Sequence, residues 1–395
     1  MGLSLEALYE GASWSLSRHS MALSALQEKA ATGQEINRVS DDPSRSNRIL
    51  GLLSDNRSKQ QYLKNLDEVI SILDLSSSMI QSMTGRLGDA RASMTSIVSG
   101  ITNESMRRTL AGDINNALEQ MVSLSNTQRL GQSLFAGANC SVQPYTVQRD
   151  DQGYITQVIY QGSAEERKVP VAAGVEISAV LSGPRLFSSQ QRGDAVFYGQ
   201  TGAAAGTGTS SAKGDVILAV TGSAGAWQLS IDGGQSWVSA DGTETNIAVV
   251  SSATGQTLYV DATGITQAGT EPIRMSGTYD IFNVLICARD LLTNAEGLPE
   301  DQLNSMLNDT IVAMQDVQGK LTEAFPVVGG RIQALISLKD SLENMKLNTD
   351  EDISRLQDAD IAQISIDLAR YETLYQLSLS VAAKMFSLSF LDFLE

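Results

Sequence analysis

The chain has 395 residues, which is enough for two or three domains. Its formal net charge of −17 argues against nucleic acid as a partner and against adsorption to anionic membranes, because both need a basic protein surface. Apolar residues make up 42% of the chain but aromatic residues only 5%, which favours long helical packing over a wide globular core. No apolar run approaches the ~20 residues of a membrane-spanning helix, so no membrane insertion is expected.

The first residues, MGLSLEALYEGASWSLSRHS, lack the basic start, compact apolar block and small-residue cleavage site of a secretory signal peptide. The protein is therefore expected to stay in the cytoplasm or to leave by a route that cleaves no signal. Cys140 and Cys287 are too few for a disulfide framework. Each is expected to be a small buried residue, with a single disulfide between them as the open alternative.

The N-terminal segment carries an apolar stripe at helical spacing, which predicts a helix with one packed face. The stripe comprises Leu5, Leu8, Ala12, Ser15, His19, Leu23, Leu26 and Ala30.

The stretch RVSDDPSR follows this segment and is interpreted as a helix break made by Ser40, Asp41, Asp42 and Pro43. Asp42 is predicted to cap the next helix, because an aspartate there accepts hydrogen bonds from the free N–H groups of the first turn. Pro43 loses no hydrogen bond at the first helical position. Gly33 is predicted to close the preceding helix.

The two adjacent acids are not interpreted as a metal or catalytic site. The chain has a single histidine, His19, and no acidic or histidine cluster surrounds it at ligand spacing. No nucleophile or second positioned group accompanies the acids, as acid–base chemistry would require. No catalytic residue, bound metal or cofactor is therefore expected.

Apolar residues next recur at alternating spacings of four and three, the pattern of a long helix packed lengthwise on other helices. The members are Tyr62, Leu66, Val69, Leu73, Ser76, Ile80, Met83, Leu87, Ala90, Met94, Ile97 and Ile101. The same spacing returns at Leu303, Leu307, Thr310, Met314, Val317, Leu321, Ala324 and Val328, and then at Leu335, Leu338, Leu342 and Met345. Pro326 lies inside the later run and is predicted to kink or split that helix.

Residues from about 140 to 275 are rich in Gly, Thr, Val and Ser and are predicted to form a β-rich insertion. Within them SIDGGQSW, at 230–237, fits the Asp-box pattern and predicts a hairpin whose aspartate binds turn N–H groups. A carbohydrate-related role for this motif is the alternative. The Gly-rich stretch 202–215 lacks the phosphate-binding pattern, because Gly214 follows Lys213, and is interpreted as a surface loop.

Towards the C-terminus, LNTDEDISRLQDADIAQ is interpreted as a second helix start. Thr349 is predicted to be an N-cap, with the three acids that follow it in the first turn, where they complement the helix dipole. Asp358 or Asp360 is predicted to cap the final helix.

The final helical segment carries two adjacent apolar stripes, so it must be buried on several sides. Chain termini are usually exposed, and we therefore expect both terminal helices to pack on other copies of the protein. The predicted assembly interface comprises Leu5, Leu8, Ala12, Leu23, Leu26, Ile361, Ile364, Leu368, Tyr371, Leu374, Tyr375, Leu377, Val381 and Met385.

Four of these stretches carry a resemblance to the flagellin superfamily. INRVSDDPSRSNRI (36–49) resembles its N-terminal signature, and ISRLQDADIAQISIDLARYETLYQLSLSVAAKMFSLSFLDFL resembles its closing helix. GQSLFAGAN (131–139) and YQGSAEERKVPVAAGVEISAVLSGPRLF (160–187) resemble its turn and β-hairpin. The SDDP form is more similar to the hook–filament junction branch than to filament flagellins, which usually carry a K-D-D-A-A-type sequence. Residues 195–275 match no motif of the family.

The resemblance implies an α+β fold: a long antiparallel helical bundle built from both chain ends, with an inserted β-hairpin and a small outer β-rich domain. It divides the chain into a terminal assembly domain (1–40 with 350–395), a bundle core with the hairpin (41–190 with 277–349) and an outer β-rich domain (191–276).

The function implied is that of a structural axial protein of the bacterial flagellum, not an enzyme. It would polymerise as a homo-oligomeric ring at the hook–filament junction and adapt the hook to the filament. Implied partners are a neighbouring hook-associated protein, flagellin or filament subunits, and an export chaperone in the cytoplasm. The implied location is extracellular, on the flagellum, after type III export without a cleaved signal peptide.

Three alternatives stay open. A filament flagellin would share the terminal helices. A glycan-directed enzyme would use the β-rich insertion, with the Asp-box as its only support. A type III secreted coiled-coil effector would share the helical composition.

Overall fold

The computed structural model of the chain describes residues 5–98, 103–189, 192–252, 254–294 and 297–394. The helices in this part are α1 (Leu5–Thr32), α2 (Pro43–Val98), α3 (Glu104–Ser125), α4 (Gly183–Phe187), α5 (Asn283–Thr293), α6 (Glu300–Gln357) and α7 (Ile361–Leu394). The chain divides into two compact units, Met1–Lys64 with Leu338–Glu395, and Asn65–Ser337. The first is called the terminal unit and the second the central unit.

The strands of the described residues all lie in the central unit. They are β1 (Gln128–Arg129), β2 (Gln132–Ser133), β3 (Tyr145–Arg149), β4 (Ile155–Tyr160), β5 (Arg167–Ala172), β6 (Val175–Val180), β7 (Ala195–Phe197), β8 (Ala204–Ala205), β9 (Gly214–Ser223), β10 (Ala226–Ser230), β11 (Val238–Ala240), β12 (Ile247–Val250), β13 (Thr257–Asp261) and β14 (Gly269–Met275). All pairings are antiparallel. The fold is α+β, as predicted.

In the terminal unit, α1 and α7 are joined end to start by backbone hydrogen bonds. α1 ends at Thr32, and the next residue, Gly33, has a φ of +72°, which glycine adopts readily. The N–H of Ala359 donates to the Gly33 carbonyl at 3.0 Å, and the N–H of Glu35 donates to the Gln357 carbonyl at 2.8 Å. α7 therefore begins where α1 ends, and the two helices run antiparallel.

The helix break between α1 and α2 is made by its two aspartates. Asp42 Oδ1 accepts the N–H groups of Ser44 and Arg45, both at 3.0 Å, and α2 begins at Pro43. Asp41 Oδ2 accepts the N–H of Arg38 at 2.9 Å and so ties down the preceding turn. Both carboxylates are occupied by backbone donors, which is the capping role that the sequence predicts.

The expected helix start at Thr349 is wrong, because α6 continues to Gln357. The Thr349 hydroxyl is buried and donates to the Met345 carbonyl at 2.9 Å, one turn back along the same helix. Asp350 pairs with Lys346 at 2.8 Å and accepts a hydrogen bond from the Asn56 amide of α2. These acids serve contacts inside and between helices rather than a helix terminus. At the start of α7 itself, Asp360 Oδ1 accepts the N–H groups of Ala362 and Gln363.

In the central unit, the four–three seams form the helical core. The buried members on α2 are Leu66, Val69, Leu73, Ser76, Ile80, Met83, Leu87, Ala90, Met94 and Ile97, while Ile101 lies outside the described residues. Ser76, the one polar member, donates its hydroxyl to the Ile72 carbonyl at 2.8 Å. On α6 all eight predicted positions from Leu303 to Val328 are buried.

The expected split at Pro326 is wrong, because α6 runs from Glu300 to Gln357 through it, while the expected kink stays a prediction. Pro326 lies on the exposed side of the helix, while Ala324 and Val328 on the adjacent turns are buried. A proline forfeits one backbone hydrogen bond. Burial of the seam on both sides of Pro326 offsets that loss and keeps the helix continuous.

The β-rich insertion is a five-stranded sheet in the order β11-β10-β9-β14-β7, with a three-stranded sheet in the order β12-β13-β8. They share one apolar core, which includes Leu218, Val220, Trp227, Leu229, Val249, Leu258, Val260 and Ile273. Two hairpins, β3–β4 and β5–β6, precede it in the chain. The second of them lies in the stretch singled out in the sequence.

Five aromatic side chains, Phe135, Tyr145, Tyr160, Phe187 and Phe282, gather where hairpin β3–β4 meets α4 and α5. The ring centroids of Tyr145 and Phe282 lie 4.8 Å apart, and those of Phe135 and Phe187 lie 5.1 Å apart. Phe135, Phe187 and Phe282 are among the largest fully buried side chains. The helical seams, by contrast, are filled by aliphatic residues and methionine.

A buried arginine fastens the β-rich insertion to α6. Arg274 on β14 binds Asp215 with two hydrogen bonds, of 2.8 and 2.7 Å. Its remaining donors reach the Thr310 hydroxyl at 2.7 Å and the Met306 carbonyl at 3.2 Å, both on α6. The guanidinium is thus paired with a carboxylate and bonded on both sides, as a buried charge must be.

Arg274→Met is expected to lower the free energy of unfolding by about 3 kcal/mol, because it leaves the largely buried Asp215 carboxylate without its cation and with the Tyr279 hydroxyl as a remaining donor. Arg149→Met is the control, since Arg149 pairs with Glu119 where both are partly exposed, and it should cost at most about 1 kcal/mol. Urea unfolding followed by circular dichroism measures both. Equal losses in the two variants would contradict the role assigned to Arg274.

Gly330→Ala is expected to raise the free energy of unfolding by up to about 1 kcal/mol, because glycine is costly inside an exposed helix. A methyl group there would meet open space. Gly233→Ala also meets open space, but Gly233 has a φ of +68°. That control should lose stability by about 1 kcal/mol. A loss of stability in Gly330→Ala under the same urea titration would show that Gly330 is needed for a backbone bend.

Candidate assembly surface

The predicted interface residues fall into two groups in the terminal unit. The first group lines a seam between α1 and α7, where the rings of His19 and Tyr371 lie 6.1 Å apart. Its members are buried or half-buried: Ala12, Leu23 and Leu26 on α1, and Ile364, Leu368, Tyr371, Leu374, Tyr375 and Met385 on α7. These residues hold the two terminal helices of one chain together.

The second group points away from the seam. Ile361, Leu377 and Val381 are exposed on α7, with Leu377 at 56%. Leu5 and Leu8 fall in α1, but their side chains lie outside the described part of the structure. The role of both groups in assembly stays a prediction.

Four further exposed apolar residues of the terminal helices were not singled out in the sequence: Trp14 and Met21 on α1, and Ile366 and Leu379 on α7. Trp14 is 66% exposed and Met21 is 68% exposed. They lie off the stripe that predicted the packed face of α1. Their spacing of seven residues, which places both on one side of the helix, is the signal that could have found them.

The exposed residues form three rows, as the 100° turn per residue of an α-helix requires. Trp14 and Met21 make the α1 outer row, on the side of α1 opposite the seam. Ile366, Leu377 and Val381 make one α7 row, within about 60° of each other. Ile361 and Leu379 make a second α7 row on the other flank of the seam. Ala369, Glu372, Thr373, Gln376 and Ser380 lie exposed between the two α7 rows.

A cation lies over the largest of these side chains. The guanidinium carbon of Arg18 is 5.4 Å from the centroid of the Trp14 ring. This cation–π contact covers one face of the indole, while the side chain keeps two thirds of its surface exposed. Trp14 is therefore held in position on the surface of a single chain without being buried there.

The Asp-box forms the hairpin turn between β10 and β11, and its carboxylate is fully engaged. Asp232 accepts the N–H of Ser236 at 2.9 Å and the N–H of Ser252 at 2.9 Å, and both serine hydroxyls also donate to it. These hydrogen bonds, led by the one from the Ser236 hydroxyl, hold the pKa of Asp232 below its usual range. Asp232 therefore joins the turn that contains Ser236 to the turn that contains Ser252, and it stays ionised rather than donating a proton.

Cys140 and Cys287 are free and half-buried. Cys287 lines a cavity of about 530 Å³, and burial raises the pKa of its thiol well above the usual range, which makes it a weak nucleophile. Within the described ranges, no three His, Cys, Asp or Glu side chains are grouped to hold a metal ion. No helix in the same ranges is long and apolar enough to cross a membrane.

Two family models match the two ends of the chain. The bacterial flagellin N-terminal helical region matches residues 6–140, and the bacterial flagellin C-terminal helical region matches residues 313–394. Together they cover more than half of the chain. The chain belongs to the flagellin family. The matched segments include α1, α7 and all the exposed rows described above.

Among curated relatives, the flagellar hook-associated protein 3 of Escherichia coli K12 is 24% identical over 163 residues. That alignment covers 41% of this chain and 49% of the relative, so the chain matches about half of the relative's length.

Solved structures show the same fold at low sequence identity. FlgL of Xanthomonas campestris superposes with a TM-score of 0.51 at 17% identity, covering 77% of this chain and 98% of that one. The flagellar hook-associated protein 3 of Legionella pneumophila gives 0.51 at 14% identity, with 78% and 98% covered. A hook-associated protein of Vibrio parahaemolyticus gives 0.51 at 15% identity, with 80% and 100% covered.

Asp232→Asn is expected to lower the stability of the β-rich insertion at neutral pH. The folded pKa of Asp232 is depressed, so its contribution is present above the unfolded value of about 3.9 and is lost as the pH falls below it. The difference in unfolding midpoint between wild type and Asp232→Asn should therefore shrink as the pH is lowered below about 4. A difference that stayed constant between pH 7 and pH 3 would sink this assignment.

Proposed function

We propose that the protein is a structural axial component of the bacterial flagellum that assembles at the hook–filament junction and adapts the hook to the filament. The observation that carries the proposal is the exposed apolar surface on the terminal helices of a flagellin-family chain. The hook-associated names of its relatives, and the SDDP signature of its helix break, support the junction rather than the filament itself.

The terminal helices expose apolar side chains that assembly could bury. Seven apolar side chains of α1 and α7 are exposed, at roughly 100 Å² each, or about 700 Å² in all. A stable protein–protein interface buries about 800 Å² on each partner. These side chains lie in three separate rows, so assembly would cover several apolar strips rather than one patch.

The charge of these helices also suits close packing. α1 carries two basic and three acidic residues, and α7 carries the same numbers, so each contributes only −1 to the net charge of −17. Copies that pack through the terminal helices therefore avoid most of the repulsion that the acidic chain would otherwise create.

The proposed terminal assembly domain is 1–40 with 350–395. The bundle core with its hairpins is 41–190 with 277–349, and the outer β-rich domain is 191–276. In support, the compact terminal unit contains both segments of the assembly domain, and all described strands from β7 to β14 fall in the outer domain.

The proposed partners are further copies in a homo-oligomeric ring, a neighbouring hook-associated protein on one side, and flagellin subunits on the other. A cytoplasmic chaperone would cover the terminal helices before export. The proposed location is extracellular, after type III export without cleavage of a signal. This role needs no catalysis, and the backbone N–H groups that Asp232 accepts support a turn-forming role for the Asp-box.

Met21→Glu tests the proposal in a deletion strain of the source bacterium. A charge on the α1 outer row should block assembly, giving hooks without filaments and at least a tenfold rise of flagellin shed into the medium. Met106→Glu is the matched control, because Met106 is a helical methionine of similar exposure, 57%, in the central unit. It should restore attached filaments.

Electron microscopy of the cells and immunoblots of the medium for flagellin and for the variant itself give the readout. Attached filaments with Met21→Glu would contradict the assembly role of the terminal helices. Bare hooks in the deletion strain with no flagellin in the medium would instead identify the chain as the filament subunit.

A further inference from the structure

We propose that the central unit binds a neutral saccharide in the cavity of about 530 Å³ that lies between hairpin β3–β4, the start of α5 and the β-rich insertion. The volume lies within the ~300–1,000 Å³ that is usual for ligand sites. The inference concerns residues outside the terminal unit, so it goes beyond the assembly role and can fail separately from it.

Three glutamine side chains line the cavity with unused hydrogen-bonding groups. Gln148 on β3 and Gln157 on β4 are direct partners in the hairpin, so their side chains lie on the same face of it. Gln256, just before β13, lines the cavity from the β-rich insertion. No described residue donates to or accepts from any of these three side-chain amides. Each amide can both donate and accept, as the neighbouring hydroxyl groups of a sugar do.

The charges around the cavity favour a ligand without charge. The charged lining residues are Lys213, Asp215 and Asp280. Asp215 is bound by Arg274, and Asp280 accepts two backbone N–H groups at the start of α5, at 2.8 and 2.7 Å. An anion would meet two carboxylates beside the single lysine. A cation would meet that lysine while both carboxylates are already engaged.

The buried side of the cavity is apolar. Phe187 and Phe282 line it and are almost fully buried, and Ile286 extends this apolar surface along α5. A saccharide presents C–H groups on the faces of its rings and hydroxyl groups around their edges. The cavity therefore offers apolar contact at depth together with amide groups nearer the surface, the mixture that holds and orients a ligand in such sites.

The hairpin wall of the cavity is fixed to two helices. Arg289 on α5 donates to the Ile155 carbonyl, at the start of β4, at 2.8 Å, and to the side-chain oxygen of Asn115 on α3 at 3.2 Å. The ring of Phe282 packs on Tyr145, at the start of β3. This wall is formed without a ligand, so binding would cost little ordering of the protein.

The wall from the β-rich insertion is held by the Asp-box. Asp232 accepts both the N–H and the hydroxyl of Ser252. The N–H of Ser251 donates to the Gln256 carbonyl at 2.8 Å, and the N–H of Gln256 donates to the Thr254 hydroxyl at 3.3 Å. Thr254 and Gln256 both line the cavity. The Asp-box lies outside the cavity but fixes the backbone that carries Gln256.

Binding of defined oligosaccharides to the full-length protein tests the proposal. An array of neutral, sialylated and sulfated oligosaccharides should show saturable binding to neutral members, and calorimetric titration with the strongest of them should give one site per chain. Gln157→Ala should weaken that binding about tenfold, because one amide supplies up to two hydrogen bonds. Gln228→Ala is the matched control and should leave the affinity unchanged, because Gln228 is an exposed glutamine of β10 outside the cavity.

Thr156→Trp gives a second, independent variant. Thr156 is an exposed strand residue that lines the cavity, so a tryptophan there should fill the cavity and abolish binding while the circular dichroism stays that of the wild type.

Four results would overturn the inference. They are an array without binding, binding only to sialylated or sulfated members, binding that survives both Gln157→Ala and Thr156→Trp, and equal losses in Gln157→Ala and Gln228→Ala. Loss of binding in Trp237→Ala alone would place the saccharide on the exposed indole of the Asp-box and refute the cavity. None of these results bears on assembly at the junction, which is read from attached filaments and shed flagellin.

Discussion

The terminal unit depends on a short backbone bridge between the two ends of the chain. The N–H of Ala359 binds the carbonyl of Gly33, and the N–H of Glu35 binds the carbonyl of Gln357. These bonds join residues more than 300 positions apart and fix where α1 stops, where α7 starts and how the two helices are aligned. Without that alignment, the seam residues would not meet, and the outer rows of the two helices would have no defined relative height.

The terminal helices therefore divide their apolar residues between two tasks. One set closes the seam within a chain, and the other remains on the surface. A helix that packs only within its own chain would show one apolar stripe. A helix that packs only on other copies would have no stable partner before assembly. α7 carries both sets, which explains why its sequence shows two stripes rather than one.

Most of the helical architecture could be predicted from the sequence, because its signals are local. The seam of α2 follows from the regular four–three spacing of its apolar residues. The cap at Asp42 follows because an aspartate directly before a proline is typical of a helix start. The α+β composition with an inserted β-rich region was predictable for the same reason, since turn residues and β-branched residues change abruptly along the chain.

The errors arise where distant contacts override local signals. Thr349 and the acids after it read as a helix start, but their partners lie on α2 and one turn earlier on α6. Pro326 reads as a break, but the buried seam on either side holds the helix together. The apolar stripe of α1 predicts its packed face, and Trp14 lies on the opposite one. Arg274 was missed because nothing local shows that Asp215 lies beside it.

The entry and exit of the β-rich insertion lie side by side. β7, its first strand, pairs with β14, its last, and the N–H of Gly193 binds the carbonyl of Ser276 at 2.9 Å. The chain therefore leaves the helical part and returns to it at nearly one point, so the insertion could change in length without moving its two ends, although Arg274 also binds α6. Such a neck is a natural site for grafting a foreign domain onto the surface of an assembled fibre, provided that the graft also has adjacent ends and that a new contact replaces the one made by Arg274.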